Sequence, residues 1–211
     1  MKIALIGATG RIGSRILKEA LNRGHEVTAI VRDPSKLAYN SPSLKIVQGD
    51  IFDPDQISEV VKNSEVVISA FGPGISDTDK LVKATKALID AIKTSGKLRL
   101  IAVGGAGSLE VGQGTLLVDS PEFPSEWKAI AEAHKEALSL YEKEAGLDWT
   151  NISPSAMIEP GNRTGIFRMS TNKLLIDKEG ISRISMEDFA VAILNEVENP
   201  KFRKTRFTVG Y

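Results

Sequence analysis

The sequence predicts a doubly wound α/β domain, and three observations carry that prediction. Short runs rich in Val, Ile, Leu and Ala alternate with longer stretches whose apolar residues recur at helical spacing. The short runs are continuously apolar, as expected of parallel strands covered by helices on both faces. A glycine triplet directly follows the first run and opens the first helical stretch. Strand and helix in regular succession imply right-handed crossovers, and therefore a parallel sheet. The ligand of such a sheet sits beyond the carboxyl ends of its strands.

The expected strands are Lys2–Ile6, Glu26–Val31, Leu44–Gln48, Val66–Ala70, Leu98–Val103, Trp149–Ser153 and Arg206–Val209. Between them, Arg11–Arg23 places Ile12, Ile16, Leu17, Ala20 and Leu21 on one stripe, and Gly24 ends it. Lys80–Thr94 repeats the pattern with Leu81, Ala84, Leu88, Ile89 and Ile92. Ser125–Ala145 is a long helix followed by Gly146. Ser185 to Asp188 has a hydroxyl followed three residues later by an acid, a capping-box start. The helix it opens carries Phe189, Ala190, Ile193, Leu194 and Val197, and Pro200 stops it. Two segments break this rhythm: residues 104–126, rich in Gly and Pro, and residues 155–178. Both follow strands, so both are expected to hang over the ligand end as a small substrate cap on a single domain spanning 1–211.

Composition removes several function classes. At 211 residues the chain can close one continuous core. Lys plus Arg equals Asp plus Glu at 27 each, so the overall basic excess of a general nucleic-acid binder is missing. No cysteine excludes disulfides, thiolate metal sites and a cysteine nucleophile. With only His25 and His134, a structural zinc site has no evident ligand set, and no metal is expected. No apolar run approaches the ~20 residues of a membrane span. The apolar start, Lys2–Ile6, ends in glycines too soon for the core of a signal peptide. It reads as a buried strand, and the expected location is the cytoplasm.

The most informative segment is Gly7-Ala-Thr-Gly-Arg-Ile-Gly13, spaced G-x-x-G-x-x-G. Glycine allows a sharp turn and close approach of a pyrophosphate to main-chain N–H groups, and the helix N-terminus adds its positive end. Gly7, Thr9, Gly10, Arg11, Ile12 and Gly13 are the expected contacts, with Gly13 letting the helix pack close to the strand. An acid about 20 residues beyond such a loop would bind the ribose 2′-OH of NAD. Counting on from Gly13, that place holds Arg32. A guanidinium suits a 2′-phosphate, and Arg11 could lie on the same side, so NADP(H) is expected over NAD(H). Asp33 precedes Pro34 and is expected to start a turn. The alternative for Arg32 is a solvated strand-end charge.

After the third strand, Asp50 could accept from the adenine amino group and Ile51 could supply an apolar wall. The alternative for Asp50 is a turn or cap residue, since Asp53-Pro54 is turn-prone. Ala70, Phe71 and Gly72 follow the fourth strand, where small residues let the cofactor pass close to the backbone.

GATGRIG, VRDPSKL, QGDIFDP, SAFGPG and GLDWTNISPS together resemble the short-chain dehydrogenase/reductase superfamily. More narrowly, they resemble its atypical NAD(P)H-binding branch, related to NmrA-like regulators and to flavin and biliverdin reductases. The resemblance runs over essentially the whole chain, and it implies a Rossmann-like sheet. Most active members use a Tyr-x-x-x-Lys pair, the Tyr exchanging a proton with the substrate oxygen and the Lys lowering its pKa. The family spacing puts the lysine at Lys135 and the tyrosine at Ala131. Tyr141 is followed four residues later by Ala145, so it does not restore the pair.

Lys135 could still hold the ribose hydroxyls, the alternative being a solvated lysine. His134, its neighbour, is expected on a different face of the helix. Ser108 lies near the family serine in order and could bind a substrate carbonyl; the alternative is a turn hydroxyl. Phe123, Trp127 and Met157 could line an apolar wall or simply pack the loops. His25 is expected at the end of the sheet away from the cofactor. The resemblance thus implies an NADP(H)-dependent reductase acting on a flavin-, quinone- or carbonyl-like small-molecule acceptor, with no nucleic acid or membrane partner. The missing phenol motivates the alternative, a redox sensor that binds NADP(H) without turnover and signals through a protein partner. A sugar-nucleotide epimerase-like enzyme ranks last, because the chain lacks the large C-terminal domain of that kind. The long helices form dimer faces in relatives of the superfamily, which leaves a homodimer open.

Overall fold

The computed structural model describes residues 1–74, 76–96, 98–112 and 114–211. In chain order the elements are β1 (Lys2–Ile6), α1 (Arg11–Asn22), β2 (Glu26–Val31), β3 (Leu44–Gln48), α2 (Pro54–Val61), β4 (Val66–Ser69), α3 (Asp79–Ser95), β5 (Arg99–Val103), β6 (Glu110–Gly112), β7 (Thr115–Leu116), α4 (Ser125–Glu142), β8 (Asp148–Ser153), β9 (Met157–Glu159), β10 (Arg168–Ser170), β11 (Arg183–Ser185), α5 (Met186–Glu198) and β12 (Thr205–Gly210). Eight strands form one sheet in the order β10-β12-β8-β5-β4-β1-β2-β3. All its pairings are parallel except β10 on β12. The order reverses between β1 and β4, the switch point at which open sheets of this kind bind ligands. The fold is Rossmann-like, as the sequence pattern implied.

Two cores sandwich the sheet. On one face, Ile16, Leu17 and Ala20 of α1 and Phe189, Ile193 and Val197 of α5 cover Ile3, Leu5, Ile68, Ile101 and Phe207. On the other, Ile57 of α2, Leu88 and Ile92 of α3 and Leu138 and Tyr141 of α4 cover Ala4, Ile6, Val67, Leu100 and Trp149. α5 starts as its sequence dictates: the Ser185 hydroxyl accepts from the Asp188 N–H at 3.0 Å.

Two features depart from the sequence expectation. Asp53-Pro54 opens a helix rather than a bare turn: Asp53 accepts from the Gln56 N–H, and Pro54 takes the first helical position. Eight residues with two fully buried apolar side chains, Ile57 and Val61, give too weak a periodicity to read from sequence. The 155–178 segment also contains two short strands, β9 and β10, and β10 extends the sheet by an antiparallel edge.

The two irregular segments are joined to each other. The Glu110 N–H donates to the Asn172 carbonyl at 2.8 Å, and the Leu174 N–H donates to the Glu110 carbonyl at 2.9 Å. Gln113 of the first segment lies outside the described residues. The second segment is pinned beneath by Asp188, which accepts from the Thr164 and Gly165 N–H groups, the Thr164 hydroxyl and the Tyr211 phenol. Burial pushes the Asp188 carboxyl up, but these donors together hold it below the ordinary range.

Candidate functional site

The glycine loop shows why each of its glycines is needed. Gly7 has φ +84°, and a Cβ there would lie 2.6 Å from the Ala70 carbonyl oxygen. Turn geometry and the approach of β4 both demand glycine at that position. A Cβ on Gly13 would lie 2.0 Å from the Gly7 carbonyl oxygen, so α1 can start against the loop only without one. Gly10 is the N-cap of α1 and offers no side-chain acceptor, and the first turn holds no acid. The first N–H groups of α1 therefore keep their capacity for an anion.

These elements wall a cleft of about 140 Å³ lined by Ile6, Gly7, Thr9, Gly10, Ile30, Val31, Arg32, Gly49, Ile51, Ala70, Phe71 and Gly72. Eight of the residues expected at the cofactor lie on it: Gly7, Thr9, Gly10, Arg32, Ile51, Ala70, Phe71 and Gly72. The other four do not line it. Gly13 shapes the loop from beneath, and Ile12 packs into the α1 and α5 core. Arg11 is exposed on the first turn of α1. Asp50 is exposed, with one carboxylate oxygen bonded to the Phe52 N–H at 3.1 Å in a local turn. Phe71 meets Phe52 edge-on, with ring centroids 5.8 Å apart, which fixes one wall.

At the end of β2 the two neighbouring charges are in different situations. Arg32 is exposed, and its guanidinium makes no ion pair among the described residues. The Asp33 carboxylate is turned into its own loop, accepting from the Ser35 hydroxyl at 2.6 Å and the Ser35 N–H at 3.1 Å. Those bonds hold its carboxyl below the ordinary range. A dinucleotide fits this cradle: glycines against the loop, free N–H groups at α1, an apolar wall at Ile51 and a cation at the ribose end.

Beyond the cleft, the sheet continues across β5, β8 and β12. Ile6, Ser69, Ala102, Asn151 and Arg206 form one row across the sheet, level with the last residue of β1. Arg206 donates to the Ser108 hydroxyl at 2.9 Å, to the Ser108 carbonyl at 3.1 Å and to Asn172 Oδ1 at 2.8 Å. Ser108 is thus held between β12 and the cap, and its own O–H finds no acceptor among the described residues. Sequence reading missed Arg206, because a lone arginine in a β run carries no signal until the register places it.

The inner stripe of α4 differs from the expectation. Lys135 is half-exposed, 3.4 Å from Glu132, so contact with a ribose requires that pair to open. His134 turns towards the sheet, and its ring packs on Gly105, where a Cβ would lie 2.8 Å from the His134 Cβ and Cγ. The expectation had Lys135 on the inner face and His134 on another; His134 is the one that faces inward. Ala131, His134, Leu138 and Tyr141 follow the helical repeat along the sheet-facing side. Ala131 itself is buried, and a Cβ on Gly107 would lie 2.7 Å from its methyl. Trp127 and Met157 are half-exposed and Phe123 is partly buried. His25 lies between the N-terminal amine at 3.3 Å and Glu198 at 2.9 Å, at the amino end of the sheet. No helix among the described residues is long and apolar enough to cross a membrane.

Comparison with known proteins agrees with this geometry. The profile of the NAD(P)H-binding family matches residues 7–197. The chain is 41% identical to YwnB of Bacillus subtilis, over 99% of this chain and 98% of that protein. Among solved structures, a candidate epimerase from Bacteroides thetaiotaomicron superposes with TM-score 0.94 at 43% identity, covering 100% of this chain and 96% of the other. A candidate NADH-flavin reductase from Streptococcus pneumoniae superposes with TM-score 0.87 at 33% identity, covering 100% and 99%.

Proposed function

The chain belongs to the NAD(P)H-binding family of the atypical short-chain dehydrogenase/reductase kind, and on that premise we propose that it is an NADP(H)-dependent reductase of a flavin-, quinone- or carbonyl-like acceptor. The bound nicotinamide supplies a hydride, and the protein supplies binding, orientation and electrostatics. Gly7, Thr9 and Gly10 with the first turn of α1 hold the pyrophosphate. Ile51, Ala70, Phe71 and Gly72 confine the dinucleotide along the cleft. Ser108, its oxygen engaged by Arg206, presents its O–H to the acceptor carbonyl. The joined cap segments exclude water from that end. The setting proposed with this activity is the cytoplasm.

The observation that carries the NADP preference is the contrast at the end of β2. Arg32 stands on the cleft with its guanidinium unpaired among the described residues, while the neighbouring Asp33 carboxylate is spent on Ser35. Parallel calorimetric titrations with NADPH and NADH test it. Charge-assisted bonds to a 2′-phosphate stabilise by about 1.5–3 kcal/mol, so NADPH should bind roughly 10–100-fold more tightly. Arg32→Glu should remove that preference. Equal affinities in the unmodified protein would refute it.

One observation favours a second reading. The place of the family phenol is Ala131, closed over by Gly107. A sensor that binds NADP(H) and signals through a protein partner needs no phenol. Comparable affinity for both redox states, and no turnover with flavin, quinone or carbonyl acceptors, would favour it over the reductase.

A further inference from the structure

Beside the cofactor cleft, sharing two of its walls, lies a second, smaller cavity. It holds about 10 Å³, room for about one water molecule. Its polar lining is Ser69, Thr85, His134, Tyr141 and Asn151, and it shares the walls Ile51 and Phe71 with the cleft. Ser69 and Asn151 are buried, and neither they nor His134 makes a side-chain hydrogen bond among the described residues. Their polar side-chain atoms are not sealed in the core but open onto the cavity, so a water there can meet them. The close approach of Gly105 keeps the imidazole at the carboxyl end of β5, the acceptor end of the sheet.

We infer that His134 is the proton-relay residue of the reduction, acting through the polar cavity it shares with Ser69 and Asn151. The inference rests on the reductase reading given above. An acceptor oxygen that has received the transferred electron pair needs one proton. The imidazole gives its N–H proton towards that oxygen while its other nitrogen takes one from a water in the cavity, and the hydroxide left there is reprotonated through exchange with bulk water. The ring ends neutral, the net proton comes from solvent, and no phenol is required. Such a relay needs a ring that starts neutral. Burial supplies this by pushing the His134 pKa down to about 4. No carboxylate, lysine or arginine lines the cavity to restore the charge.

The chain has two histidines, so histidine-selective ¹⁵N labelling gives two ring systems, which a His134→Gln variant assigns. Adding NADP⁺ to the unmodified protein should shift the His134 ring signals and leave those of His25, at the far end of the sheet, in place. In steady-state assays with NADPH and a benzoquinone, His134→Gln and His134→Ala should lower kcat at least tenfold. Their calorimetric affinity for NADPH should stay within twofold of the unmodified protein. Added imidazole should restore part of the activity of His134→Ala, which it would not do for a side chain that merely fills space. Unmoved His134 signals despite NADP⁺ binding, an unchanged kcat, or a loss that imidazole leaves untouched would each overturn the relay. If NADPH does not bind the unmodified protein, the reductase reading itself falls, and the relay with it.

Discussion

Acidification should weaken the folded chain, and one separable part of that loss traces to His134. The ring is neutral down to about pH 4 in the fold, against an ordinary pKa of 6.5, because burial disfavours the charged form. Between those values the unfolded chain takes up a proton that the folded chain refuses. The stability contributed by the neutral ring is complete above pH 6.5 and is lost as pH falls towards 4. At 1.36 kcal/mol per unit, the whole window corresponds to about 3 kcal/mol, and the fall from pH 7.5 to pH 5 to about 2 kcal/mol. The other titratable group on the cavity, Tyr141, has its phenol pushed up to about 12 by burial and stays neutral throughout. Urea unfolding of the unmodified protein and of His134→Gln, measured at pH 7.5 and pH 5, isolates the effect. The two proteins differ at this one side chain, so all other contributions cancel in the difference. The gap between the two proteins should change by about 2 kcal/mol between these pH values, to the disadvantage of the protein that keeps the histidine. A gap that does not change with pH would mean that the ring meets bulk water, and would remove the electrostatic half of the relay argument.

Three further outcomes follow from the described contacts. Gly13→Ala puts a methyl 2.0 Å from the Gly7 carbonyl; it should cost about 1–3 kcal/mol by overpacking and abolish NADPH binding in calorimetry, whereas Gly72→Ala, with open space around it, should leave stability unchanged. Glu196→Ala strands the buried Arg99 guanidinium that it holds at 2.5 Å and frees the Lys201 and Phe202 N–H groups; a loss of about 3–5 kcal/mol is expected in urea unfolding. Asp188→Ala releases the Thr164 and Gly165 N–H groups; amide hydrogen exchange at those two positions should speed up while β1 and β4 stay protected.

The parallel sheet was legible because each strand is a compact apolar run. The predicted β1, β2 and β3 coincide with the observed strands, β4, β5 and β8 differ by a residue at one end, and β12 is longer by one at each end. Short elements escaped: α2 has too few turns for a clear stripe, and β9 to β11 are held by partners distant in sequence. At the site, the glycine loop and Arg32 were readable because their meaning is local, a turn and a strand end. His134 and Arg206 were not. The first depends on the rotation of α4 about its axis, which a shift of one residue reverses. The second depends on the alignment of β12 with β8 and on a cap 34 residues away in the chain.

The contact between Gly107 and Ala131 bears on how this chemistry can change over generations. The loop after β5 rests directly on the Ala131 methyl. A phenol introduced there would meet backbone, so a single codon change to tyrosine would cost stability before it gained an acid. The loop would first have to lengthen or retreat, and retreat would also uncover the ring of His134 at Gly105. The two arrangements are therefore separated by a valley rather than a slope, and descendants of this chain are constrained to refine the imidazole they have.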